Sequence, residues 1–172
     1  VANAPHTKFR IGSITKQFTA MAIVLLEEQG KLSTTDKISK YLDAAPEVWS
    51  EITIHHLLTH TSGIPSFTGM ADYGPNMMLP QSKEQMIARF RDEPLNFAPG
   101  ERFDYSNSGY FLLGVIVEKA SGQSYEAFLE ESILNPVGLG DTGYDRFSKI
   151  LTHRATGYER SNDGFVHANY LD

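Results

Sequence analysis

The segment from Ser13 to Gln29 is apolar on most of its faces and stops at Gly30. A helix with apolar residues all round has to be buried, so the rest of the chain must be built around this one. Glycine just past its end suits the left-handed turn that closes a helix. At its head stands Phe9-Arg10-Ile11-Gly12-Ser13-Ile14-Thr15-Lys16-Gln17-Phe18, an S-x-x-K element. Residues three apart share a helical face, which puts the Lys16 amine in reach of the Ser13 hydroxyl. A serine needs a neighbouring base to be a useful nucleophile. A desolvated lysine loses proton affinity and can become that base, or part of it. The helix start adds unpaired N–H groups and the positive dipole end, both favourable to a developing oxyanion. Serine and lysine are common, however, and for S-x-x-K alone a solvent-facing pair is the ordinary outcome.

A second cluster changes the balance: Phe97-Ala98-Pro99-Gly100-Glu101-Arg102-Phe103-Asp104-Tyr105-Ser106-Asn107-Ser108-Gly109-Tyr110. Pro99-Gly100 marks a turn, and an apolar helix begins near Ser108. A phenol and an amide just ahead of a helix suit a rigid loop that presents polar groups to a cleft. A phenol near cations can ionise below its usual range and accept a proton, and an asparagine amide can donate to a substrate carbonyl. The bland alternatives are a half-buried Tyr105 bonded locally and Asn107 as a helix N-cap.

With these motifs the chain resembles the penicillin-recognising serine hydrolases: class C β-lactamases, D,D-carboxypeptidases and related esterases. The resemblance rests on Phe9–Phe18, Leu57-Leu58-Thr59-His60-Thr61-Ser62-Gly63-Ile64-Pro65, and Phe97–Gly122 with the following Tyr125–Tyr144. It implies an α+β, two-subdomain β-lactamase/transpeptidase-like fold. Ser13 is implied as the acylated nucleophile, Lys16 as its activator, and Tyr105 as the base that later protonates the leaving group. Asn107 is implied as a ligand for the substrate's acyl side chain. Whether lysine or tyrosine takes the proton stays open. No cofactor or metal is implied, and the partner is a small-molecule or peptidoglycan-peptide substrate. A periplasmic or extracellular location fits the family, with the cytoplasm left open.

The family's third motif, Lys-Thr-Gly or His-x-Gly on a later edge strand, has no acceptable match. Arg154-Ala155-Thr156-Gly157 has the wrong spacing and His60-Thr61-Ser62-Gly63 the wrong place. In the family that strand supplies the second backbone donor of the oxyanion hole, and losing one donor typically costs about 2.7–4 kcal/mol. The chain opens at Val1 without a methionine and ends at Tyr170-Leu171-Asp172, mid-phrase by the family pattern. The expectation is one incomplete domain over residues 1–172, mainly the helical subdomain. Most of the antiparallel sheet is expected before residue 1 and after residue 172, or on a second chain that completes the fold.

Composition narrows the function classes. With 41% apolar and 21% charged residues and a net charge of −6, the chain has neither a disordered profile nor a polyanion-binding surface. Nucleic acid is therefore not an expected partner. The apolar run at Met21–Leu26 is too short to span a bilayer. The absence of cysteine excludes disulfides and thiolate metal sites.

Punctuation predicts the remaining elements. Ile38–Leu42 reads as a helical turn and Thr53–Thr59 as a short helix capped by Thr53. Thr61–Pro80 is a long loop of the kind that often carries function. Ser82-Lys83-Glu84-Gln85 is a capping box opening a helix to about Arg91. Ser108–Ala120, closed by Gly122, and amphipathic Ser124–Leu134 are further helices. The tail from Thr152 reads as strand and turn around Gly157-Tyr158-Glu159 and Gly164-Phe165-Val166. His56 and His60 could share a helical face and hold zinc. A structural His60 that bonds the Thr61-Ser62-Gly63 turn is the stronger expectation. Ser62 lacks a nucleophile elbow and reads as a turn residue. Glu101, Arg102 and Asp104 read as ion pairs near Tyr105, and Tyr110-Phe111 as core. Two functions follow: acyl transfer through a Ser13 ester to water, on a β-lactam, D-alanyl peptide or small carboxylic ester, or a non-catalytic ligand-binding or scaffold protein of the same fold.

Overall fold

The computed structural model describes residues 2–43, 45–76, 79–146 and 149–168. The terminal Tyr170-Leu171-Asp172 lies outside them, as do Met77 and Met78 of the long loop. The described residues form six helices, α1 (Thr15–Glu28), α2 (Ile54–Leu58), α3 (Tyr73–Asn76), α4 (Lys83–Arg91), α5 (Asn107–Ser121) and α6 (Tyr125–Leu129). One antiparallel hairpin, β1 (Tyr158–Ser161) with β2 (Gly164–His167), pairs Tyr158 with His167 and Ser161 with Gly164. A helical body with a two-strand sheet is the helical part of the expected α+β fold.

The centre of the core is α5 laid against α1, with α2, α4 and α6 packed round it. Ala22, Ile23 and Leu26 of α1 meet Leu112, Leu113, Ile116 and Val117 of α5 in one buried cluster. Ile54, Leu57, Trp49, Phe90 and Phe128 close it. Burying a side chain of this size contributes roughly 1.5–3 kcal/mol, and burial rather than propensity explains why the five-residue α2 is stable here. The expectation that α1 is deeply buried holds for the face that carries Ala22, Ile23 and Leu26 and not for the rest. Ile14, Met21 and Val24 are about half exposed and share one face by their spacing, so the described residues leave an apolar strip uncovered.

Caps decide where the helices begin. Thr53 Oγ1 accepts the His56 N–H while His56 Nδ1 accepts the Thr53 N–H, a reciprocal box at α2. Ser82 and Gln85 make the same box at α4. At α5 the cap is Ser106, whose Oγ accepts the Gly109 N–H. Asn107 is therefore the first helical residue, not the cap. Gly122, at φ 75°, closes α5 as expected. The expected Ser124–Leu134 helix is instead α6 followed by a wider π turn over Glu130–Leu134.

Two loops aim the site. The N-terminal segment is held by Lys8, which exchanges backbone hydrogen bonds with His153 and Ala155 (2.9 and 2.8 Å). Arg10 and Arg154 both pair with Asp145 (2.7 and 2.8 Å), fixing the approach to Ser13. The Thr61–Pro65 turn is locked at Gly63, whose φ is 77° and whose added Cβ would lie 2.2 Å from the Phe97 carbonyl oxygen. Its own carbonyl accepts the Asn96 N–H (2.8 Å), joining this turn to the segment that leads to Tyr105. Ser62 Oγ accepts the Ile64 N–H, the turn role expected of it. Gly63→Ala combines a forbidden approach with left-handed backbone, so a loss of at least about 3 kcal/mol is expected. Thermal unfolding reads it, and an unchanged midpoint would contradict the contact.

Candidate active site

Ser13 sits in a tight 3-10 turn, Gly12–Ile14, immediately before α1, which begins two residues after the expected helix start at Ser13. The turn takes up the N–H groups of Ile14 and Thr15, which bond Ile11 O and Gly12 O. Those two donors are thus committed, while the dipole of α1 still favours an anion at this end.

Across α1 and the loop before α5, four polar side chains meet. Ser13 Oγ lies 2.7 Å from Tyr105 Oη. Lys16 Nζ donates to Ser13 Oγ at 3.3 Å and to Asn107 Oδ1 at 2.7 Å. The same ammonium stands 4.8 Å from the Tyr105 ring centroid and 5.5 Å from that of Tyr110. Ser13 and Tyr105 are ninety-two positions apart in the chain, and packing of α5 on α1 is what joins them. Ser13 is exposed and Lys16 half-buried, with Tyr105 42% exposed, so the cluster opens to solvent.

The electrostatics follow from these contacts. Burial pushes the Tyr105 phenol up, but hydrogen bonding with Lys16 and Ser13, together with the lysine's charge, outweighs it. The net effect is a phenol below its ordinary range, since a nearby cation and hydrogen-bond donors favour the phenolate. Nothing comparable acts on Tyr110, which burial pushes up and whose hydroxyl donates to Leu58 O. Tyr110 is thus a packing residue, as expected.

Asn107 is held from both sides. Its Oδ1 accepts from Lys16 and its Nδ2 donates to Thr68 Oγ1 at 2.9 Å. Thr68 in turn hydrogen-bonds Ser66 Oγ, which accepts the Asn107 N–H. Ser108 ties the same loop down, donating to Pro65 O and accepting the Phe67 N–H. Ser66, Thr68 and Ser108 were not among the expected site residues; only the length of the Thr61–Pro80 loop hinted that it served a site. An open groove of about 760 Å³ borders Tyr105, walled by Pro65, Ser66, Glu93, Asn96 and Asp104.

Several expectations are corrected. His56 and His60 do not share a helical face, because His56 Nδ1 is spent in the α2 cap and His60 lies beyond the helix end at φ 58°. Nor does His60 side chain bond the Thr61-Ser62-Gly63 turn; its Nδ1 accepts the Ser106 N–H (3.2 Å). Among the described residues Glu101, Arg102 and Asp104 are fixed by contacts other than ion pairs. Glu101 accepts the Ala98 N–H, Asp104 accepts from the Asn96 amide, and the Arg102 guanidinium lies 4.7 Å over the Phe97 ring. Ala155, in the segment weighed as a third motif, donates its N–H to Lys8 O, so that N–H is committed.

The chain is similar to known proteins over most of its length. A family model described as Beta-lactamase matches residues 1–171. Penicillin-binding protein 4* of Bacillus subtilis (strain 168) is 39% identical over 160 residues, covering 89% of this chain and 35% of that protein. The penicillin binding protein from Bacillus halodurans superposes with a TM-score of 0.86 at 36% identity, over 97% of this chain and 53% of that one. A D-stereospecific amidohydrolase from Streptomyces sp. superposes at 0.76 with 25% identity, over 95% of this chain and 53% of its own. The chain thus spans about a third of the curated relative and about half of these two solved structures. On a match that runs from residue 1 to residue 171, this chain belongs to the Beta-lactamase family.

Proposed function

We propose that the protein is a serine hydrolase that forms an ester on Ser13 from a β-lactam, a D-alanyl peptide or a small carboxylic ester, and then transfers the acyl group to water. The observation that carries this reading is the 2.7 Å approach of Ser13 Oγ to Tyr105 Oη beside the Lys16 ammonium. Tyr105, as phenolate, takes the Ser13 proton while Oγ attacks the carbonyl carbon. As the C–N or C–O bond of the leaving group breaks, the same phenol returns that proton to it. Lys16 acts as a cation: it donates to Ser13 and Asn107 and holds Tyr105 ready to ionise. Tyr105 is favoured over Lys16 as base because its oxygen is the nearer to Ser13 Oγ, at 2.7 against 3.3 Å. An amide nitrogen carries two protons, so Asn107 Nδ2 can serve a substrate carbonyl with the proton that Thr68 does not take.

The relatives described as penicillin-binding proteins and a D-stereospecific amidohydrolase favour a β-lactam or peptide acyl group over a small ester. Intact-mass spectrometry of the full-length protein with benzylpenicillin, a D-alanyl-D-alanine peptide and a nitrophenyl ester tests the reading. A mass gain equal to the acyl group, mapped to Ser13 and lost with time, is expected. No adduct from any of them would leave the non-catalytic, ligand-binding reading.

A further inference from the structure

His60 was expected to serve its own turn, and its contacts lead elsewhere. It follows the last turn of α2 in left-handed backbone, φ 58°, a conformation that His, Asn and Asp adopt more readily than most side chains. From there it bonds the residues on both sides of Tyr105. The Asp104 N–H donates to His60 O (2.8 Å) and the Ser106 N–H donates to His60 Nδ1 (3.2 Å). Between those bonds the Tyr105 ring lies against the imidazole, with centroids 4.5 Å apart and planes 33° apart. Tyr110 of α5 packs on the same imidazole at 4.9 Å and 33°, and Phe103 meets it edge-on at 5.7 Å.

We infer that His60 is a positioning residue for Tyr105: its Nδ1 and carbonyl clamp the backbone on either side of the tyrosine, and so hold the phenol where it meets Ser13. This rests on the proposed roles of Ser13 and Tyr105. Accepting an N–H at Nδ1 requires the tautomer that carries its proton on Nε2. Burial, then the charge of Lys16, keep the imidazole neutral by pushing its pKa below the ordinary histidine value. The titratable and charged groups around it are Lys16 from α1, Asp104 and Tyr105 from the loop, and Tyr110 from α5.

Two variants separate positioning from bulk stability. His60→Ala removes acceptor and ring; His60→Asn keeps a side-chain acceptor and tolerates left-handed backbone. Each is examined in the full-length protein by three measurements: thermal unfolding, the rate of labelling by a fluorescent penicillin, and the ultraviolet titration of the Tyr105 phenol taken as the difference from Tyr105→Phe. His60→Ala is expected to unfold cooperatively, label roughly 10- to 100-fold more slowly, and titrate its Tyr105 phenol at higher pH. His60→Asn is expected to recover most of both readouts. A folded His60→Ala with wild-type phenol titration overturns the inference. If His60→Ala does not fold, His60→Asn decides: an unmoved phenol supports the clamp, and a shifted one, with the acceptor kept, overturns it. The phenol titration needs no turnover. If wild type forms no adduct at all, the Ser13 reading fails while this measurement still tests the placement of Tyr105 by His60.

Discussion

Ser13→Ala is expected to abolish covalent labelling by a fluorescent penicillin or a fluorophosphonate, with no residual slow phase. Of the serines near the site, Ser62 is buried and spent on the Ile64 N–H, Ser106 caps α5, and Ser108 is buried between Pro65 O and the Phe67 N–H. Ser66 is engaged with Thr68 and the Asn107 N–H. Ser13 alone among these combines an exposed hydroxyl with a phenol at 2.7 Å and an ammonium at 3.3 Å. A hydroxyl without a neighbouring base reacts too slowly to substitute for it. Because Ser13 is exposed, its removal leaves no cavity, and stability should move by no more than about 0.5 kcal/mol. Loss of label with an unchanged melting curve is the expected pair of results. Label that persists places the nucleophile elsewhere.

How much of this was legible in the sequence depends on the range of the interaction. Local signals were readable: Ser82 with Gln85 and Thr53 with the α2 start are decided within a few residues. The same holds for Gly122 at the end of α5. S-x-x-K was legible because its spacing is itself a helical geometry. Joining it to Tyr105 and Asn107 took the family resemblance, since no local rule brings α1 and α5 together.

What was not legible is instructive in kind. Asn107 looks like a cap by residue type, but Ser106 takes that position, and the shift of one residue frees the Asn107 amide for Lys16 and Thr68. Both residues are good caps, so only packing could choose between them. The all-round apolar pattern of α1 correctly announced a central helix, yet Ile14, Met21 and Val24 stay about half exposed. A pattern reports which faces are able to be buried, not what covers them. His60 was misassigned because a histidine beside Thr-Ser-Gly suggests a local turn bond. Its actual partner lies forty-six positions away in the chain.

Tyr105→Phe is the sharper test of mechanism, because it removes one oxygen and keeps the ring. That ring packs on His60 and faces Lys16, contacts a phenylalanine retains, so the loop should hold its place. Ser13 then loses its 2.7 Å partner and keeps only the Lys16 contact at 3.3 Å. Removing a general base costs typically about 10²–10⁴-fold, and acylation should slow by that factor with melting unchanged. The pH profile supplies a second, independent readout. Lys16 and Ser13 outweigh burial and hold the phenol below its ordinary value. In the wild type, acylation therefore climbs with pH as the phenol loses its proton, and levels off below the pH at which a free tyrosine would. The phenylalanine variant has no such group, so that rise should vanish rather than shift. If the variant acylated slowly but kept the same climb, the titrating base would be another group, with Lys16 the nearest to Ser13. An unchanged rate would remove Tyr105 from the chemistry and leave the 2.7 Å contact as packing alone.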